Sequence, residues 1–560
     1  MKKSGTLLSL AGTIVLIAWV VLFDMSLIDI ALSFSFLILV PLLLEEVVRG
    51  NENNRAEHWI NNVMVTSLPF AGAGMLSVAL PVGQEAGAWA ILWLFFTILI
   101  AIGGFMRLLG RGWNPVQETV IDLGLIYISV GGGWLVLSSG GMSRYLPYSE
   151  TIVQLTAVHF HYAAFVLPIV TGLFGRWLVS YKRKPAGIPY TVLACGIAAG
   201  PVLVAFGLNQ GPPIETLMVI IYVSFLMWLA VWWLWCSAEF NMLAKIAIRL
   251  SALLLIITMS LSMLYSFGMM VEAYWLGIGD MVRWHGIMNA FGFSLFSVLA
   301  WRDIKPERGY IYTSFPISKL RTKGHVGNAA IYKKGWAARH LYEGGLLDHL
   351  HAYRSENFDP AEVSSTIKRF YERTDQFSLS AHVHWQKGFR RLSSLINHWT
   401  MRMGQINVPP SGEVSMAGEI VSIHDDQDGR EDVRAWIRKN ELTGDPIFTA
   451  LYSSHNKEGE RYMNIALPLP LGLMTGVLRF LHDREHGLIL TSERRKGGKG
   501  DEGIYLTLGN WTIRLPLREH FYVKEVSKGK LKASHEMKVF SITFLKIKYM
   551  IEEKRKTTSA

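Results

Sequence analysis

The chain has 560 residues, 51% hydrophobic and only 18% charged, with a mean hydropathy of +0.27 and a formal net charge of +11. A soluble domain carries about 25% charged residues, so a wholly soluble chain is excluded. Residues 1–301 hold fourteen basic and fourteen acidic side chains, so the entire positive excess falls on residues 302–560.

Ten apolar stretches fill the first part, at roughly 6–23, 26–47, 62–82, 86–106, 118–140, 151–174, 187–208, 213–236, 248–271 and 281–301. Most approach the ~20 residues a helix needs to cross ~30 Å of hydrocarbon. The first follows Lys2 and Lys3, but Phe23-Asp24-Met25-Ser26 offers no small-x-small cleavage site, so it reads as a retained span rather than a signal peptide. With the N-terminus inside, twelve Lys and Arg fall on the inner side and only Arg144 and Arg283 on the outer. Count and charge together predict a multi-pass plasma-membrane protein with both termini cytoplasmic. Cys195 and Cys236, the only cysteines, lie within or at the end of apolar stretches, which leaves no disulfide framework or Cys-based metal site in the tail.

Pro41, Pro69, Pro168 and Pro201 each remove a backbone donor inside an apolar run, and Gly131-Gly132-Gly133 and Gly196-x-x-x-Gly200 allow close helix approach. No internal repeat is apparent. The polar residues are sparse and lie mostly in the outer half. His159-Phe160-His161-Tyr162 sits near the middle of the sixth stretch, His285 and Asn289 are in the tenth, Asp29 begins the second and Glu215 begins the eighth. Ionisable groups are costly in hydrocarbon, so these residues define the expected pathway or ligand site. His159 and His161 are about 200° apart on a helix and point to opposite sides, so one regular helix cannot bring both to one ion. The alternative for each is a neutral imidazole bonding a neighbouring helix.

Residues 302–345 read as a linker and lead-in, and 346–560 as an α+β, β-rich cytoplasmic domain. Asp359-Pro360-Ala361-Glu362 opens a helix to about Glu372, and 386–403 forms a second, with Phe389, Leu392, Ile396, Trp399 and Met403 on one stripe. From about Gly412 short strands follow, at 447–452, 462–467, 488–491, 504–508, 511–515, 520–523 and 539–544, with turns at Gly497-Gly498-Lys499-Gly500 and Gly509-Asn510. They predict a sheet curled on itself, with a barrel of lipid-sized interior as its closed form. His349-x-His351 and His382-x-His384 carry no carboxylate at ligand spacing, so no metal is expected there. No phosphate-binding loop, nucleophile elbow or nucleic-acid motif is present, and catalysis has no sequence support. The basic tail would instead meet anionic inner-leaflet lipids.

The His159-Phe160-His161-Tyr162 string resembles the haem-ligand segment of haem-copper oxidase subunit one, where two such histidines hold different haems. The copper-ligand His-Pro-Glu-Val segment is missing, and only His285 could complete a bis-histidine haem. A resemblance over nearly the whole chain is to the YndJ-like family of bacterial multi-pass membrane proteins. It rests on His159-Phe160-His161-Tyr162-Ala163, on the run from Trp284-His285-Gly286 through Asn289 to Phe293, and on the long polar tail. That resemblance implies an α-helical bundle in a bacterial plasma membrane with a transporter label, and it brings no catalytic residues. The expected function is a transporter or sensor of a small solute or ion with an intramembrane histidine site and no cofactor. Its alternatives are a membrane-tethered lipid- or ligand-binding scaffold and a haem or metal redox protein held by His159, His161 or His285.

Overall fold

A helix satisfies its own backbone polar groups without water, and the apolar part of the chain takes that form. The computed structural model describes residues 4–50, 54–182, 187–308, 315–322, 324, 326, 330–338, 344–407, 411–483, 486–495, 500–509 and 511–554. Two units result, Met1–Leu108 with Trp113–Tyr310, and Leu109–Gly112 with Ile311–Ala560. Among the described residues, eight helices are long and apolar enough to cross a membrane: Ser4–Leu22, Leu27–Val48, Gln84–Arg111, Val116–Ser139, Glu150–Tyr181, Ile188–Gln210, Ile214–Glu239 and Met242–Met270. Arg55–Val65 and Ser67–Ala79, bent by 55°, make a ninth if taken as one span.

The expected ten spans are thus corrected to eight or nine. The tenth stretch is helical over residues 278–304 but runs as Ile278–Asp280, two π-helical segments, Met281–Gly286 and Met288–Ser294, and a final α-helix, Leu295–Ile304. Apolarity reveals the stretch and not the widening of its backbone. Arg107, Arg111 and Arg176, counted in the sequence among the inner-side positive charges, are fully buried. Lys2, Lys3, Arg183 and Lys184 lie outside the described residues, as do the turn residues Gly497, Gly498, Lys499 and Asn510.

Three of the four prolines mark breaks. A proline ring clashes with the carbonyl four residues back, and a widened or broken turn relieves it. For Pro41 that carbonyl is Leu37, within the π-helical Ser35–Leu39; for Pro168 it is Ala164, within the π-helical Tyr162–Val166. For Pro69 it is Val65, at the bend. Pro201 stays inside a continuous helix.

The second unit is a β-barrel. Its strands are β1 Phe377–Trp385, β2 Ser411–Ser422, β3 Arg434–Asn440, β4 Pro446–Lys457, β5 Glu460–Leu469 and β6 Gly472–His482. They continue as β7 Leu488–Thr491, β8 Gly503–Leu508, β9 Trp511–Leu515, β10 Leu517–Ser527, β11 Lys530–Val539 and β12 Ile542–Glu553. The order β5-β4-β3-β2-β1-β12-β11-β10-β7-β6 closes because β6 pairs back with β5, while β8 and β9 extend from the other edge of β6. Strict alternation on β1 points Leu379, Ala381 and Val383 inward and leaves His382 and His384 exposed outside. His349 and His351 are exposed as well.

The first expected tail helix splits. Pro360–Glu362 is a single 3-10 turn, and the α-helix starts afresh at Ser365–Glu372, with the Ser364 hydroxyl accepting from the Ile367 amide. The second forms as Arg390–Met403, but the side chains of Leu392, Ile396 and Trp399 lie outside the described residues. The predicted strand 539–544 straddles a hairpin: Val539 ends β11, Phe540 and Ser541 at φ of 46° and 72° form the turn, and residues 542–544 begin β12.

Candidate functional site

The π-helical segments of the sixth and last long helices flank one cavity. It measures about 360 Å³ and is lined by side chains from Glu150–Tyr181, Ile188–Gln210, Ile214–Cys236, Met242–Met270 and residues 278–304. The lining is mainly apolar, with His159, Tyr162, Glu215, Tyr265, His285 and Asn289 among its polar members. Such a volume and lining suit a small ligand. No proline accounts for the π turns of the last helix, and these are the turns that carry His285 and Asn289. Isolated π turns recur at functional sites.

His159 and His285 face each other here, with ring centroids 6.5 Å apart. Each engages a backbone carbonyl through Nδ1, His159 that of Leu155 at 2.7 Å and His285 that of Thr258 at 2.9 Å. A carbonyl only accepts, so both Nδ1 atoms carry the hydrogen and both Nε2 atoms present lone pairs. Thr258 fixes more than the ring, because its hydroxyl donates to Asn289 Oδ1 at 3.0 Å while Asn289 Nδ2 donates to the His285 carbonyl at 2.8 Å. Asn289 is therefore a positioning residue for His285. Tyr162 contributes its ring to the cavity and spends its hydroxyl on the Ala31 carbonyl at 2.6 Å. Tyr222 lies flat against Gly200, where a Cβ would meet its ring at 1.9 Å, and its hydroxyl donates to Ala163, inside the π turn.

Two of the sequence-predicted residues lie elsewhere. His161 is fully buried, accepts from Trp93 Nε1 at 2.9 Å and donates from Nδ1 to Ala157 O at 2.8 Å. Both ring nitrogens are used, and Gly131 makes room, since a Cβ there would stand 2.9 Å from His161 Nδ1. Asp29 caps its own helix start, taking the Ser26 hydroxyl at 2.6 Å and Gln154 Nε2 at 2.9 Å.

A second polar cluster escaped the sequence reading. Arg107 donates to Asp122 at 2.5 Å, to Glu118 at 2.6 Å and to Glu57. Arg176 grips both oxygens of Glu118, at 2.6 and 2.7 Å, and reaches the Glu46 carbonyl at 3.1 Å. Arg308 binds Glu57, and Arg302 binds Glu45 and Glu46. The available signal was Glu118 and Asp122, four apart and so on one helix face at the start of an apolar run. Trp93 and Thr258 gave no signal, being ordinary residues of apolar helices.

Comparison with known proteins adds to this geometry. The family described as "YndJ-like protein" matches residues 30–293, a range that contains His159, His161, His285 and Asn289. A relative from Bacillus subtilis (strain 168), named "Uncharacterized membrane protein YndJ", is 35% identical over 531 residues, which is 94% of this chain and 94% of its own. No solved structure matches the chain.

Proposed function

The chain belongs to the YndJ-like family of membrane proteins, and we propose that its helical unit binds a small molecule between His159 and His285 and moves or senses it. One observation supports this above others. Two imidazoles have committed their Nδ1–H groups to backbone carbonyls and line the same cavity with Nε2 unpartnered among the described residues. A pair of fixed acceptors in apolar surroundings favours a ligand with hydrogen-bond donors on a compact apolar body. Retained small molecules, compared by mass spectrometry between wild type and the variants His159→Phe, His285→Phe and His161→Phe, test the reading. A compound held by wild type and His161→Phe but absent from the other two is expected. Identical profiles for all four proteins would overturn it.

A second reading, a metal centre between the same rings, is favoured by one distance. Two metal–nitrogen bonds of about 2 Å, with about 1.2 Å from each nitrogen to its ring centre, put opposed imidazole centroids about 6.4 Å apart. The observed separation is 6.5 Å. Two imidazoles are the protein donors of a bis-histidine haem iron, and these rings are the pair that could supply them. His159 and His285 would hold it and His161 would not; when bound it supplies one-electron chemistry. A Soret band that shifts on dithionite reduction and vanishes in His159→Phe establishes this reading, and a featureless spectrum from protein made with haem available removes it.

A further inference from the structure

The interior of the β-barrel holds a buried cation that no carboxylate among the described residues answers. Trp436 and Arg438 stand two apart on β3 and so share its inner face, and Arg438 is only 9% exposed. Its guanidinium lies 4.4 Å from the Trp436 ring centroid and 4.5 Å from that of Phe448, its cross-strand partner on β4. A register shift falls at Arg438/Lys439, the kind of bulge that re-aims a side chain. Arg438 interacts with the Tyr549 hydroxyl, yet its Nε has no hydrogen-bond partner, and among the described residues no carboxylate lies within ion-pairing distance. The one acidic side chain lining the same space, Glu519, is paired instead with His535 at 3.2 Å. Gly476 makes room for that pair, since a Cβ there would stand 2.4 Å from Glu519 Oε1.

Burying a charge without a counter-ion is costly, and the Trp436 and Phe448 faces with the Tyr549 hydroxyl offset only part of that cost in an interior that is otherwise mainly apolar. The cavity beside Arg438 is about 140 Å³. An apolar cavity of about 150 Å³ holds one benzene ring, so a long acyl chain is too large and the expected lipid-sized interior is not what the barrel offers. We infer that the barrel is a binding site for a small amphipathic anion, with its acid group on Arg438 and its single ring or short chain in the apolar interior. The site is separate from the histidine cavity and stands whether or not that cavity binds a solute.

Calorimetric titration of the full-length protein in lipid nanodiscs tests this with phenylacetate, phenyl phosphate and the neutral phenylacetamide. Expected is binding of one or both anions, with the amide weaker by about tenfold or more, since hydrogen bonds to a charged group are the strong ones. The stronger anion then separates carboxylate from phosphate. Arg438→Met should abolish anion binding while keeping or raising the melting temperature, because an apolar residue of similar length removes an unpaired buried charge. Equal binding of anion and amide would overturn the proposal. So would failure of all three probes to bind wild type, or a sharp fall in the melting temperature of Arg438→Met, which would make the arginine part of the scaffold.

Discussion

Two polar regions of the helical unit differ in one respect, whether their groups are already answered. In the arginine cluster every nitrogen of the Arg107 and Arg176 guanidinium groups meets an oxygen, and Glu118 serves both. In the histidine cavity each ring is held by a single backbone carbonyl and keeps an open nitrogen. Saturated groups hold helices together and have nothing left to offer. Groups fixed on one side and open on the other are pre-organised for something that arrives later. His159 and His161 show the contrast within one turn, since His161 is closed at both nitrogens and His159 at one.

Breaking the saturated region should produce the largest effect. Arg107→Leu leaves Asp122, Glu57 and Glu118 short of a shared cation, and removing one partner of a buried ion pair costs about 3–5 kcal/mol. Detergent-extracted yield and melting temperature should both collapse. Arg107→Lys should rescue little, because a single ammonium cannot serve three carboxylates as a fork does. A well-folded Arg107→Leu protein would show that the cluster is not what clamps these helices.

Next in size is the comparison of the two histidines. His161→Phe strands the buried Trp93 Nε1–H, at about 1–3 kcal/mol, and should lower the melting temperature. His159→Phe loses one bond, to the carbonyl of its own preceding turn, and should leave stability nearly unchanged while removing whatever the cavity binds. If His159→Phe proves the more destabilising of the two, the distinction between scaffold and site fails.

The same distinction extends to the barrel through pH. Asp501 is fully buried, and although burial alone raises its pKa, hydrogen bonds from His455 at 3.4 Å and Lys457 at 2.6 Å outweigh it and hold the carboxyl below its ordinary value. A carboxyl depressed in the folded state contributes stability above its unfolded pKa, about 3.9, and loses it as pH falls through the folded value. The melting-temperature gap between wild type and Asp501→Asn should therefore be full at neutral pH and shrink below about pH 4. A gap independent of pH would mean that shape, not charge, matters at this position.

These contrasts also explain what the sequence could reveal. Hydrophobic length predicts helices because hydrocarbon demands it, and the membrane bundle was legible on that ground. Whether a given histidine is open or closed depends on Trp93, Thr258 and a widened turn, none of which has a local signature. In the barrel, the stretches that became β4, β5, β7, β8, β9 and β10 were legible as apolar or β-branched runs, whereas β1, β2, β3, β6 and β11 were not singled out, β11 because lysines alternate along it, as in Lys530-Leu531-Lys532. Arg438 was hidden because its strand carries other charges. On a strand with Arg434 and Lys439, an inward arginine looks like one more surface charge until the register is known.

The smallest predicted effect applies the comparison to backbone rather than side chains. At Phe540-Ser541 two L-residues both adopt positive φ, 46° and 72°, in a two-residue hairpin turn that ordinarily takes Asn-Gly. The conformation is left-handed, and the described neighbours do not cover the Phe540 ring, which is 65% exposed. Its β-branched and aromatic surroundings explain why 539–544 looked like one strand. Phe540→Asn with Ser541→Gly should keep the register of β11 and β12 and stabilise the barrel by about 0.5–1 kcal/mol, read as a rise in melting temperature. A fall instead would show that the exposed ring repays its strained backbone, which an isolated turn gives it no means to do, and would direct attention to a surface that Phe540 contacts.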